Sequence, residues 1–109
     1  MAKTLVFTAV TGSQLGKKYP LQGRSSVIGS DPACDMVIHD RLIEWRHAEL
    51  RHMLDSWFLV PLSNKISGLS INGTIIQGQS RIRPGDQVTI GSITYAVAVE
   101  ELSERAVGA

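Results

Sequence analysis

Cysteine and long apolar runs are scarce in this sequence. Its single cysteine, Cys34, cannot form an internal disulfide, and the chain has no CxxC pair or Cys/His quartet of the kind that holds structural zinc. No segment approaches the ~20 apolar residues that a membrane-spanning helix needs, and the apolar stretch near the N-terminus is too short for a signal peptide. We therefore expect a cytoplasmic protein that is stabilised by packing and has no membrane partner.

A charge excess of either sign is also absent. Lys and Arg number 11 and Asp and Glu number 10, which gives a net charge of +1. This balance removes the long-range field that gathers strongly basic proteins on nucleic acid or anionic membranes, and no basic cluster occurs along the chain. We expect no nucleic-acid partner. The length of 109 residues fits one compact domain.

Signals for catalysis are weak. The three histidines, His39, His47 and His52, have no cysteine or carboxylate at metal-ligand spacing. The chain lacks the Gly-x-Ser-x-Gly nucleophile elbow, and a domain of this size seldom encloses a substrate pocket. The sequence therefore predicts no enzyme activity, no metal site and no cofactor.

Short apolar runs rich in Val, Ile and aromatic residues recur between clusters of turn-forming residues, a pattern that is typical of an all-β protein. Because sequential strands in such a protein are short, a β-sandwich or a barrel is favoured over a βαβ arrangement. We predict a domain over residues 1–100 and a flexible tail over 101–109. The predicted strands are 4–10, 17–21, 24–29, 36–38, 47–53, 56–60, a hairpin over 69–76, 87–90 and 93–99.

Side-chain alternation predicts which strand residues are buried. In 47–53, Ala48 and Leu50 are expected to face the core. The next strand, 56–60, is apolar throughout and is expected to be buried on both faces near Trp57. Asn72 and Gly73 predict a type I′ turn, because both residues tolerate the positive φ that this turn requires.

Between Leu21 and Gly91 the order of unusual residues resembles a forkhead-associated (FHA) domain. No single motif is specific, but several occur in the right order at matching spacing. They are Gly29 after an apolar strand, Cys34-Asp35 before Met36-Val37-Ile38, Asp40, His47-Ala48-Glu49-Leu50, Trp57, Ile71-Asn72-Gly73 and residues 84–91. The resemblance implies an FHA-like β-sandwich of about eleven strands, whose loops at one end read phosphothreonine in a partner peptide. It also implies structural roles for Gly29, His47, Asn72 and Gly73, with His47 bracing the recognition loop.

The sequence departs from the family pattern at the positions that bind phosphate. FHA domains that bind phosphate typically carry Arg directly after the glycine that corresponds to Gly29, and this chain has Ser30 there. They also carry a serine three residues before the histidine that corresponds to His47 and an arginine two residues before it. This chain has Glu44 and Trp45 at those positions. The next loop, residues 63–68, has one extra residue, so that Asn64 falls near a family serine and Ser67 near the asparagine that holds the partner's backbone.

These departures predict that phosphothreonine recognition by the usual route is lost. A phosphate carries nearly two negative charges and is held by charge-assisted hydrogen bonds of about 1.5–3 kcal/mol each. Losing two or three of them would turn micromolar binding into nothing measurable. We therefore expect a non-catalytic interaction module that binds a protein or peptide partner, or itself as a homo-oligomer, independently of phosphothreonine. The candidate partner-binding residues are Ser30, Arg41, Glu44, Trp45, Arg46, Asn64, Lys65 and Ser67.

Two alternative functions and one structural alternative remain open. Arg41, Arg46 and Lys65 lie on or beside the same loops, and a displaced anion site built from them would make the domain an unusual phosphothreonine reader. A structural assembly subunit is the second alternative. Trp45 either forms an exposed apolar patch with Leu42, Ile43 and Ile66 or packs on the edge of the sandwich.

Overall fold

The computed structural model describes residues 2–12, 14–62 and 69–102. Within these ranges the chain forms strands and turns, and no helix. The expectations for Asn64, Lys65, Ile66 and Ser67, and for residues 103–109 of the tail, lie outside the described residues. The strands are β1 (Ala2–Ala9), β2 (Lys18–Leu21), β3 (Ser25–Gly29), β4 (Met36–Val37), β5 (Ala48–Met53), β6 (Ser56–Pro61), β7 (Leu69–Ile71), β8 (Thr74–Ile75), β9 (Ser80–Ile82), β10 (Gln87–Ile90) and β11 (Ile93–Leu102).

The strands form two sheets packed face to face. One sheet has the order β2-β1-β11-β10-β7-β8 and the other has the order β4-β3-β5-β6-β9. The described strand pairs are antiparallel except for the short parallel pair β3–β4. The predicted all-β sandwich of about eleven strands is confirmed.

The core lies between the two sheets and is built from one face of each strand. Ala48 and Leu50 on β5 are buried as predicted, and so are alternate residues of β10 and β11. The expectation that β6 is buried on both faces is wrong: Trp57 and Leu59 are buried, but Phe58 and Val60 are only half-buried. The reason is that each sheet of a two-layer sandwich packs only one face against the other.

The largest differences from the predicted strands are the additional strand β9 and the length of β11. The strand β9 is absent from the predicted set because only one of its three side chains, Ile82, is buried, so it has no apolar run. β11 continues beyond Val99 to Leu102, which pairs with Ala2 at the start of β1. Because it pairs with β1, the last strand includes residues 101 and 102, which were expected to belong to the tail.

The strand registers define the two ends of the sandwich. Ile28, Ala48 and Pro61 lie side by side at one end, where loops 30–35 and 38–47 emerge; we call it the apical end. The opposite end, the basal end, carries the β5–β6 turn at Leu54 and Asp55. The apical end is the place where the FHA resemblance puts the recognition loops.

The Asn72–Gly73 turn lies at the basal end, where β7 meets β8. Its φ angles of 51° and 85° are those of the predicted type I′ turn. The side chain of Asn72 accepts a hydrogen bond from the Gln87 amide at 2.9 Å and donates one to the Asp86 carboxylate at 3.2 Å. Asn72 therefore stabilises the junction between two basal turns, far from the recognition loops.

Candidate functional site

The two apical loops are joined at the point where β3 ends. The amide of Ser30 donates to the carbonyl oxygen of Glu44 at 3.1 Å, and the amide of Asp31 donates to the carbonyl oxygen of Trp45 at 3.1 Å. This approach is possible because residue 29 has no side chain: a Cβ on Gly29 would lie 2.3 Å from the Trp45 carbonyl oxygen. Gly29 is therefore required for the contact between the loops.

Ser30 uses its hydroxyl in the same contact. The Ser30 hydroxyl donates to the Glu44 carbonyl oxygen at 3.3 Å, next to the bond made by the Ser30 amide. Loop 30–35 therefore directs this hydroxyl and two consecutive amides at the backbone of loop 38–47. These donors stabilise the loops themselves.

His47 fixes the other side of loop 38–47. Its imidazole is 2% exposed, and its Nδ1 accepts a hydrogen bond from the Glu44 amide at 3.0 Å. Its backbone amide donates to Ile28 at 2.8 Å, and its carbonyl oxygen accepts from Leu62 at 3.0 Å. Since Nδ1 is an acceptor, the ring proton lies on Nε2 when the imidazole is neutral. This geometry fits the bracing role that the resemblance implies.

Arg46 and Asp31 form an ion pair across the loops. The Arg46 Nε lies 3.8 Å from the Asp31 Oδ2, with side chains 65% and 12% exposed. The other carboxylate oxygen of Asp31 accepts the Ala33 amide at 2.9 Å. A small cavity of about 70 Å³ lies beside the pair and is lined by Val27, Asp31, Ala33, Cys34 and Arg46. Burial, followed by the negative charge of Asp31, raises the pKa of the Cys34 thiol, so this cysteine is not an activated nucleophile.

Large apolar side chains are exposed at the apical end. Trp45 is 63% exposed, and Leu42 and Leu62 are 60% and 44% exposed. The indole of Trp45 therefore does not pack on the sandwich edge. The expectation for Ile43 is wrong, because it is only 7% exposed and packs over Gly91, whose missing Cβ leaves room for it.

Asp40 connects the recognition loop to the other sheet. Its carboxylate accepts hydrogen bonds from the amides of Leu42 at 2.9 Å and Ser92 at 3.3 Å, and from the Ser92 hydroxyl. The Leu42 hydrogen bond and then the Ser92 hydroxyl lower the pKa of Asp40. The sequence showed only an acidic residue at the start of a loop, because Ser92 is 52 positions away.

We predict that Asp40→Asn destabilises the domain by about 1–2 kcal/mol at neutral pH, because an amide cannot accept all of these hydrogen bonds. The lowered pKa means that the stabilisation is complete above the unfolded pKa of about 3.9 and is lost as the pH falls through the folded value. Urea unfolding of both proteins at neutral and acid pH measures this. The free energies of unfolding of the two proteins should converge in acid.

Asp55→Asn is the matched control for that experiment. Asp55 is exposed in the β5–β6 turn, and its replacement should change the free energy of unfolding by less than about 0.5 kcal/mol. An equal loss in both variants would contradict the role given to Asp40.

The predicted site residues fall into three groups. Ser30, Glu44, Trp45 and Arg46 lie together in the two joined loops, and Arg41 is exposed in the same loop as Asp40. Asn64, Lys65 and Ser67 lie outside the described residues. Asn72 and Gly73 lie at the opposite end. No group of three metal-ligating side chains occurs among the residues that the structure describes.

Comparison with known proteins identifies the family. The model of the Yop-YscD family, described as the cytoplasmic domain of an inner-membrane component of the type III secretion system, matches residues 9–101. The chain belongs to this FHA-type family. In the part of the FHA domain that the structure describes, no helix is long and apolar enough to cross a bilayer. No curated protein matches the chain.

Solved FHA domains share the fold. A domain from a structural and functional analysis of phosphothreonine-dependent FHA interactions is 23% identical, with a TM-score of 0.77 over 91% of this chain and 99% of its own. The FHA domain of the Chlamydia trachomatis protein CT664 is 23% identical, with a TM-score of 0.76 over 92% and 99%. Mycobacterium tuberculosis EmbR, solved with a low-affinity phosphopeptide, is 17% identical, with a TM-score of 0.80 over 93% of this chain and 26% of its own.

Proposed function

We propose that this FHA-type interaction module binds a protein or peptide partner through its apical loops independently of phosphothreonine, in the cytoplasm and without catalysis. The observation that carries the proposal is the set Ser30, Glu44 and Trp45 in the two joined loops, at positions where phosphate-binding FHA domains carry arginine, serine and arginine. The contacts would come from residues 30–35, 41–46 and 63–67.

The charges near these positions support the proposal. A phosphate group needs several cationic or hydrogen-bonding donors in one place. Here a carboxylate, Glu44, stands where a serine hydroxyl would donate, and it would repel the phosphate. The hydroxyl and amide of Ser30 and the amide of Asp31 already donate to backbone carbonyl oxygens.

The alternative site made of displaced basic residues has less support. The Nε of Arg46 lies 3.8 Å from the Asp31 carboxylate. This negative charge reduces the positive potential that Arg46 presents to a ligand. Arg41 is adjacent to Asp40, which is also anionic. Lys65 lies outside the described residues.

An exposed tryptophan offers a different way of binding. Trp is enriched among the residues that contribute most to protein interfaces, and Trp45 is 63% exposed beside loops that are fixed by backbone hydrogen bonds. The sheet edges are weaker templates for strand addition, because the edge strands β2, β4, β8 and β9 have two to four residues. The apical loops are therefore the favoured surface.

Titration calorimetry with phosphothreonine peptides and their unphosphorylated forms tests the loss of phosphate binding. We expect no binding that depends on phosphate, while an FHA domain known to bind phosphothreonine serves as the positive control. Micromolar affinity that appears only with the phosphorylated peptides would refute the proposal.

Trp45→Ala tests the surface. We expect the tagged domain to retain its partner from native lysate after phosphatase treatment, and Trp45→Ala to weaken this binding by about 30-fold or more, the effect of losing an interface hot spot. Leu54→Ala is the matched control, because Leu54 is 98% exposed but lies in the β5–β6 turn at the basal end, away from the apical loops. Loss of the partner on phosphatase treatment, or equal effects of both variants, would contradict the proposal.

The family description favours a second candidate function, that of a structural subunit in a larger assembly. In that case the apical residues would form a permanent contact between copies. Size-exclusion chromatography with light scattering tests the assembly subunit, which requires a stable oligomer that dissociates in Trp45→Ala; a monomeric chain would contradict it.

A further inference from the structure

The Asn72–Gly73 turn combines a reactive dipeptide with a firmly held side chain. Both residues are exposed at the basal end, and a Cβ added to Gly73 would meet nothing within 4 Å. Asparagine followed by glycine is especially prone to deamidation, because glycine has no side chain to shield the backbone nitrogen that attacks the asparagine amide. The function proposed for the apical loops makes no use of this turn.

Three hydrogen bonds hold Asn72 against the segment 83–87. Its backbone amide donates to the Gln87 carbonyl oxygen at 2.7 Å, and its side-chain oxygen accepts the Gln87 amide at 2.9 Å. Its side-chain nitrogen donates to the Asp86 Oδ1 at 3.2 Å. Asp86 is itself fixed, since its Oδ2 accepts the Arg83 amide at 2.9 Å and its carbonyl oxygen accepts the Val97 amide at 3.0 Å. Both ends of the Asn72 amide group are therefore held by a segment that is distant along the chain.

We propose that Asn72 is a site of spontaneous deamidation that the closed basal junction suppresses, so that the modification marks chains in which this turn has opened. In the first step the Gly73 backbone nitrogen, which loses its proton to solvent, attacks the Asn72 Cγ. The new C–N bond closes a succinimide ring, the Cγ–Nδ2 bond breaks, and the nitrogen takes up a proton and leaves as ammonia. Water then adds to either ring carbonyl group and opens the ring, which gives aspartate or isoaspartate at position 72.

The closed junction opposes the first of these steps. Ring closure needs the Asn72 side chain and the peptide group after it to rotate until the Gly73 nitrogen reaches Cγ. The β7–β8 pairing holds the peptide group in the turn, and the bonds to Asp86 and Gln87 hold the side chain. Turns at the edge of a sheet open at a lower free energy than the core, and β8 is an edge strand of two residues. The reaction therefore proceeds through local opening of the turn and does not need unfolding of the whole domain.

Either product prevents the junction from closing as before. Aspartate at position 72 has no nitrogen to donate to Asp86, and it places a second carboxylate beside that residue, where like charges repel each other. Isoaspartate adds a methylene group to the backbone of the turn, so that the register of β7 and β8 no longer matches. The modification therefore converts a transient opening into a lasting one. The inference is independent of the proposed function, because the turn and the recognition loops lie at opposite ends of the sandwich.

Incubation of the whole chain at neutral pH tests the site, with ion exchange to detect the added negative charge and peptide mapping by mass spectrometry to locate it. We expect the chain unfolded in guanidinium chloride to be modified at Asn72 at least about tenfold faster than the folded chain. Asn72→Gly keeps a residue suited to the turn but has no amide to lose, so it should not gain this charge. Equal rates in the folded and unfolded chains, or an unfolded chain that is not modified at Asn72, would overturn the proposal.

Asp86→Ala distinguishes local opening from global unfolding. It removes the acceptor of the Asn72 side chain and should accelerate modification of the folded chain about tenfold. Asp86→Asn, which keeps one acceptor oxygen, should give an intermediate rate, and it serves as the test if circular dichroism shows that the alanine variant does not fold. Asp40→Asn is the matched control, because it removes an acceptor at the apical end and leaves the basal turn intact. No acceleration in the Asp86 variants, or equal acceleration in Asp40→Asn, would overturn the proposal.

Asn72→Asp carries the aspartate product from synthesis and measures what the modification does. We expect a lower urea midpoint than that of the wild type, together with faster hydrogen exchange of the backbone amides in residues 70–75. Protection of these amides equal to that in the wild type would contradict the inference that a modified turn stays open.

Discussion

Gly29→Ala is expected to destabilise the domain by about 3 kcal/mol or more, and to do so by separating the two apical loops. The new methyl group would lie 2.3 Å from the Trp45 carbonyl oxygen, 2.9 Å from the Trp45 carbonyl carbon and 3.0 Å from the Arg46 Cα. All three are backbone atoms, so no rotation of a side chain relieves the clash. The loops would have to move apart, which would break the hydrogen bonds from the Ser30 and Asp31 amides.

Urea unfolding at neutral pH measures the effect, and Gly78→Ala provides the matched control. A Cβ on Gly78 meets nothing within 4 Å, and its φ is not in the left-handed region. Its replacement should change the free energy of unfolding by less than about 1 kcal/mol, with stabilisation favoured because alanine restricts the unfolded chain. Similar losses in both variants would mean that the close approach at Gly29 has no special importance.

Gly29 connects the fold to the function. Because residue 29 has no side chain, β3 packs against loop 38–47, and Ser30 reaches the Glu44 carbonyl oxygen. The backbone of Trp45 is held by the Asp31 amide, while its indole is exposed. Fixed loops lose little conformational freedom when they bind, which favours affinity. We therefore expect partner binding by Gly29→Ala to fall more than its remaining folded fraction explains.

The parts of the fold that depend on local pattern could be predicted from the sequence. The alternation in β5 and the Asn72–Gly73 turn are set by neighbouring residues, and the structure confirms them. β9 could not be predicted, since its single buried residue gives no periodic signal. The burial of β6 was overestimated because an apolar run does not reveal how many layers pack against it.

The site is harder to predict because its contacts are long-range. The pairing of Asp40 with Ser92 and of Arg46 with Asp31 depends on how distant loops meet. Ile43 is buried in the space that Gly91 leaves, whereas Trp45, two residues later in the same loop, is exposed. Local sequence gives both residues the same apolar character, and only the fold separates their roles.

If Ser30, Glu44 and Trp45 are the reason that the domain does not bind phosphothreonine, the triple variant Ser30→Arg, Glu44→Ser, Trp45→Arg should bind it. The changes place two guanidinium groups and a hydroxyl on loops whose backbone positions are already fixed. Each restored charge-assisted hydrogen bond is worth about 1.5–3 kcal/mol. Together they should move the affinity for a phosphothreonine peptide from undetectable to about micromolar.

Calorimetry with phosphorylated and unphosphorylated forms of one peptide set measures the gain. The triple variant adds three positive charges, so the matched control adds the same number at the basal end: Gln22→Arg, Thr74→Arg, Gln87→Arg, all at exposed positions. Binding by both variants would be non-specific charge attraction, since the control residues lie away from the apical loops. If the folded triple variant shows no phosphate-dependent binding, the loss of phosphothreonine binding does not depend on Ser30, Glu44 and Trp45 alone. In that case Asn64 and Ser67, which fall near the family serine and asparagine, would be the next positions to restore, because the partner's backbone needs its own donor and acceptor beside the phosphate.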